Sequence, residues 1–91
     1  MSNKVNIGKA LNIAGATTTL VKTGNGVLYR IVVNTTAAGQ IHVYDGIDAS
    51  GTLIGTIKAS VVEGFFEFLC GFLTGLCIVT DAASDITVVY E

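Results

Sequence analysis

Proline and tryptophan are absent from this 91-residue chain, histidine and methionine occur once each, and cysteine occurs twice. A single histidine, His42, leaves no histidine cluster to hold a metal, and its neighbours Ile41 and Val43 place it outward on a strand. Without tryptophan, and with Tyr29, Tyr44 and Tyr90 far apart, there is no aromatic platform for stacking a sugar. Charge is scarce too, at 13% of residues with a net charge of −2. The five basic residues, Lys4, Lys9, Lys22, Arg30 and Lys58, form no run or patch, which argues against a nucleic-acid partner.

What the chain has instead is apolar sequence, 51% of its residues. Surface scaling gives a domain of this mass roughly 5,000 Å² of folded surface, about 60% of the unfolded area being buried. So few polar groups cannot cover that exterior, and the excess points to burial against other copies or a large partner. The richest stretch, "GFFEFLCGFLTGLCIVT" (64–80), holds all four phenylalanines, both cysteines and one charge, Glu67. It falls short of the ~20 residues that span a membrane, and Glu67 interrupts it. The opening residues lack the apolar run of a signal peptide, which with the cysteine content predicts synthesis in a reducing cytoplasm.

Glycine, with 11 copies, punctuates runs rich in β-branched residues. The runs are 17–23, 27–33, 40–45, 52–58, 65–70, 75–80 and 86–90, near ten residues apart. They predict an all-β chain: an antiparallel β-sandwich, Ig-like or jelly-roll-like, of about seven strands. Ile41 and Val43 should face inward opposite His42 and Tyr44, and Ile86, Val88 and Tyr90 should share a face. "VLYRIVV" and "FFEFLC" are apolar on both faces, which predicts strands covered on both sides, with 64–80 forming one core hairpin. Residues 1–16 alternate more weakly, with small residues between, and read as an N-terminal arm or edge strand beside a single sandwich domain at 17–91.

The remaining candidates for chemistry read as structure. Asp45 and Asp48 in "DGIDASG" lack the register of a calcium loop and suit a turn, as do Asp81 and Asp85. Cys70 and Cys77, with six residues between them, sit in apolar sequence as inert thiols, although a disulfide is conceivable. Glu63 and Glu67 have no sugar platform to make them a glycosidase pair, and "GNG" (24–26) has no following helix to make it a phosphate loop. The expectation is a protein without catalytic activity, cofactor or metal.

The succession "TTTLVKTGNGVLYRIVVN", "IHVYDGIDASGTLIGTI", "FEF…F…GLCIVT" and "SDITVVYE" resembles small β-sandwich structural proteins of tailed bacteriophages, of the capsid decoration or cement type. The resemblance spans residues 17–91. It implies a homo-oligomer, a trimer, seated on the outer surface of the virion and bound to the major capsid protein, after synthesis in the host bacterial cytoplasm. On this reading the trimer contact involves Tyr29, Ile31, Phe66 and Phe68, and the capsid contact involves Lys4, Val5, Ile7 and Lys9 on the arm. The competing readings are a phage tail, fibre-base or head–tail connector component, and a carbohydrate-binding β-sandwich module.

Overall fold

Short β-branched runs separated by glycine-bearing turns favour extended backbone, and the computed structural model, which describes residues 8–91, contains eight strands and no helix among them. They are β1 (Lys9–Ala14), β2 (Thr17–Thr23), β3 (Gly26–Thr35), β4 (Ile41–Asp45), β5 (Thr52–Ile57), β6 (Gly64–Phe72), β7 (Gly75–Thr80) and β8 (Asp85–Tyr90). Two four-stranded antiparallel sheets result, ordered β1-β8-β3-β6 and β2-β7-β4-β5. The strands the sequence marks out are all present, and the eighth is β1, cut from the residues expected to form an arm or edge.

The pairing is nested. β1 pairs with β8, β2 with β7, β3 with β6 and β4 with β5, as in one long hairpin whose tip is the β4–β5 loop. That hairpin is rolled so that β8 also lies against β3, and β7 against β4. Between the sheets lies a single apolar cluster. The first sheet contributes Ile13, Leu28, Ile31, Val33, Phe72, Ile86 and Val88, and the second contributes Ile41, Val43, Ile57, Leu76 and Ile78. The face assignments expected for β4 and β8 hold: Ile41, Val43, Ile86 and Val88 are buried, and His42 and Tyr44 point out.

In β3 the alternation slips by one residue. Leu28 and Ile31 are both fully buried although three positions apart, because Tyr29 and Arg30 together oppose Val89, a β-bulge against β8. β6 bulges at the same level, where Leu69 takes a positive φ of 50°. A strand that looks apolar on both faces is therefore partly a strand whose inward face changes parity midway.

The 64–80 stretch is not a core hairpin. β6 and β7 lie in different sheets and do not pair. β7 is central, flanked by β2 and β4, and Leu76, Cys77 and Ile78 are fully buried. β6 is an edge strand paired with β3 alone, so its second cover is not supplied by the described part of this chain. β5 is the edge of the other sheet on the same side, and Phe68 crosses from β6 to meet it. A Cβ on Gly55 would lie 3.3 Å from the Phe68 ring, so glycine makes room for the aromatic there.

At the opposite side β1 completes the first sheet. Ile13 is buried in the common core, and the Thr80 hydroxyl donates to the Gly15 carbonyl at 2.6 Å while accepting from the Thr17 amide at 3.0 Å. Residues 9–14 are thus an edge strand of the sheet of the same chain.

Candidate interaction surface

The exposed apolar side chains are concentrated. Large hydrophobic residues that stand more than two-fifths exposed are Leu20, Ile47, Leu53, Val62, Phe65, Leu69 and Leu73. Four of these, Leu53, Val62, Phe65 and Leu69, belong to β5, β6 and the connection between them, on the side where both sheets end. Phe65 is 65% exposed and Val62 81%, values that only burial by something else would bring down. Ile47 and Leu73 form a smaller pair of loop tips.

Alternation along β6 decides which side chains look out. Phe66, Phe68 and Cys70 turn toward the core and are half-buried, while Phe65, Glu67 and Leu69 turn away. Opposite them on β3, Arg30 pairs with Glu67 and Val32 with Phe65 in register. The Arg30 guanidinium donates to Glu67 at 2.6 Å through Nε and at 3.4 Å through an Nη, and it lies 5.9 Å from the centre of the Phe65 ring. These residues and Gly64 line an open hollow of about 410 Å³ on the outer face of the first sheet. Further along that face the surface turns polar. The Asp85 carboxylate accepts from the Asn12 amide at 2.7 Å and from the Asn34 amide at 3.1 Å, which holds its carboxyl below the usual range.

The residues named from the sequence as oligomer contacts separate in space. Ile31 is fully buried in the core, so it has no surface to offer a neighbour. The bulge at Tyr29 and Arg30 put it there, and Val32 is the outward residue instead. Phe66 and Phe68 are committed mainly to the sandwich interior. Tyr29 points out, but its ring packs where a Cβ on Gly8 would sit and its hydroxyl donates to the Glu91 carboxylate, a bond that raises the phenol's pKa. It ties β3 to Gly8 and to Glu91. Of the residues named as a capsid contact, Lys4, Val5 and Ile7 lie outside the described residues, and Lys9 is exposed at the start of β1 opposite Tyr90. Phe65 and Leu69 were missed as surface, although period-two reading of "FFEFLC" beside the one charge, Glu67, already puts Phe65 and Leu69 on its face.

The polar candidates resolve into scaffolding. Asp45 accepts from the backbone amides of Leu73 at 2.9 Å and Thr74 at 2.8 Å, which hold its carboxyl below the ordinary range and tie the β4–β5 loop to the β6–β7 turn. Asp48 accepts from the Ser50 hydroxyl and from its amide at 2.9 Å, the geometry of an Asx turn. His42 does gather partners the sequence did not suggest, with Nε2 2.9 Å from Asp81 and Nδ1 3.5 Å from the Thr56 hydroxyl. The row lies on the outer face of the second sheet and fastens the β7–β8 loop to β4. Cys70 and Cys77 are free thiols on different sheets, Cys70 inward and Cys77 alternating with the core residues Leu76 and Ile78. Burial pushes both thiol pKa values up, away from reactivity.

No protein-family model, no curated protein and no solved structure matches the chain.

Proposed function

We propose that this protein is a non-enzymatic structural component of a tailed-phage virion, a small jelly roll that associates with copies of itself and binds the outer surface of the assembled head. The nested order β1-β8-β3-β6 and β2-β7-β4-β5 supports the jelly-roll reading over an Ig-like one, since the eight strands run as two interleaved Greek keys. The observation that carries the functional reading is the exposure of Val62, Phe65 and Leu69 along and just before the unpaired edge of β6, a surface suited to protein contact. A jelly roll alone would not specify function. The resemblance of residues 17–91 to decoration proteins is what directs the reading to a capsid.

The mechanism is mass action. A subunit that binds only the assembled shell stabilises it by about 2.7 kcal/mol per site at a hundredfold excess over Kd. Contacts repeated over the lattice add avidity. The test is cosedimentation of the purified protein with purified phage heads lacking it, followed by thermal challenge of the shells. Saturable binding together with a raised shell disruption temperature is expected. Binding to tails and not heads would move the assignment to a tail or connector component, and binding to neither would refute the proposal.

A further inference from the structure

The side of the molecule bounded by β5 and β6 identifies one occupant. We infer that it is a second copy of this chain, joined through β6 across a two-fold axis. The inference deepens the proposed self-association by naming its surface, and so rests on that part of the proposed function.

An edge strand exposes a row of backbone amides and carbonyls that can template another strand, and proteins guard such edges with charge, bulges or a covering segment. On β6 the four residues Gly64–Glu67 keep a regular register with β3 from Val33 to Arg30, before the irregularity at Phe68 and the positive-φ Leu69. Their one charged side chain is Glu67, and Arg30 of the neighbouring strand already satisfies it through both carboxylate oxygens. The charge that would repel a copy is thereby cancelled within the subunit. The guard is disarmed.

Area agrees. Val62, Phe65 and Leu69 each expose on the order of 100 Å², so together they supply roughly 300 Å² of the ~800 Å² that each partner contributes to a standard interface. The opposite side, β1 and β2, exposes Lys9, Ala10, Asn12, Ala14, Thr17, Thr18 and Leu20, a set with a single large apolar side chain. Among the described residues no other sheet edge exposes as many large apolar side chains, so this one meets its own copy, and antiparallel pairing of identical strands is isologous by construction. Burying the β6 edge without pairing it would strand its backbone groups, so the contact is two-fold. The copy number is therefore even, in contrast to the three that the phage resemblance implies.

The experiment is sedimentation equilibrium of the full chain and two double variants, with circular dichroism and thermal melts to establish folding. Phe65→Lys with Leu69→Lys alters only exposed side chains. Leu20→Lys with Leu73→Lys is the matched control outside the patch. Wild type and control should sediment as dimers or an even multiple, and the patch variant should dissociate roughly a hundredfold more readily through like-charge repulsion at the contact. Should the patch variant fail to fold, Val62→Asp in the connection replaces it with the same expectation. A monomeric or trimeric wild type, or a folded patch variant with unchanged mass, would overturn the inference. So would a monomer whose patch variant loses head binding, because the surface would then belong to the shell. Head binding that fails while the dimer persists would sink the capsid assignment and leave this interface standing.

Discussion

Asp45 shows how one side chain can organise two loops. Its oxygens accept from Leu73 and Thr74 beside the backbone bond from Gly46 to Gly75, so the ionised carboxylate strengthens the tie between the end of β4 and the β6–β7 turn. The folded-state pKa is lowered, as it is for Asp48 through Ser50 and for Asp85 through Asn12 and Asn34. A carboxyl with a depressed folded pKa contributes stability that is fully present above its unfolded value, near 3.9, and is lost as pH falls through the folded value. The melting temperature should therefore stay level from neutral pH down to about 5 and fall below about 4. Asp45→Asn, which places an NH2 group against amide donors, should melt several degrees lower at pH 7 and show a shallower acid decline. An acid decline as steep as wild type would show that Asp45 is not its source. Thiol chemistry gives a second check at this scale. Ellman's reagent should leave Cys77 untouched in the folded protein and modify it on denaturation, with Cys70 intermediate, as their burial dictates. The turn roles of Asp45 and Asp48 are legible in "DGIDASG", but their partners are not, since Leu73 and Thr74 are 28 and 29 residues away.

Among the elements, β1 and β6 are the two edges of one sheet, and they differ in what holds them. β1 is anchored by Ile13, 4% exposed, between the sheets. Truncating a buried isoleucine to alanine costs about 2–5 kcal/mol, so Ile13→Ala should lower stability to chemical denaturation by that order. Removing the chain through Ala14 takes the whole strand and should lower stability at least as much as Ile13→Ala. Stability equal to that of the full chain would mean that β1 contributes little. Strand existence was legible here because β-branched runs between glycines have few alternatives, and face assignment was legible wherever alternation is clean, as in "IHVYD" and "ITVVY". Where a bulge intervenes it was not. "VLYRIVV" contains nothing that marks Tyr29 as the extra residue, so Ile31 reads as outward and is buried. The two-sided greasiness of "FFEFLC" likewise has two meanings, a central strand or an edge strand awaiting a partner, and periodicity alone does not separate them.

At the scale of the whole molecule, the folded surface is 5,085 Å², close to the roughly 5,000 Å² expected for its mass. Area is ordinary, so the surplus of apolar sequence shows up in where side chains point rather than in any looseness of the subunit. The order of strands was the part least visible in advance, because only β4 and β5 are paired neighbours in sequence. Every other pairing joins distant segments, with β1 reaching β8 across nearly the whole chain. Such nesting makes most contacts long-range in sequence, which favours folding in milliseconds to seconds, at the slow end for domains of this size. It also makes the last strand indispensable. β8 lies between β1 and β3 and carries Ile86 and Val88, both fully buried, so without it the first sheet loses its centre and β1 its only partner. Truncation after Ser84 should leave a chain with no cooperative thermal transition, whereas the full chain should show one sharp transition. A cooperative melt in the chain ending at Ser84 would mean that β2-β7-β4-β5 can stand alone. The sandwich would then be two separable layers, and the single core drawn from both sheets would not be what makes it one unit.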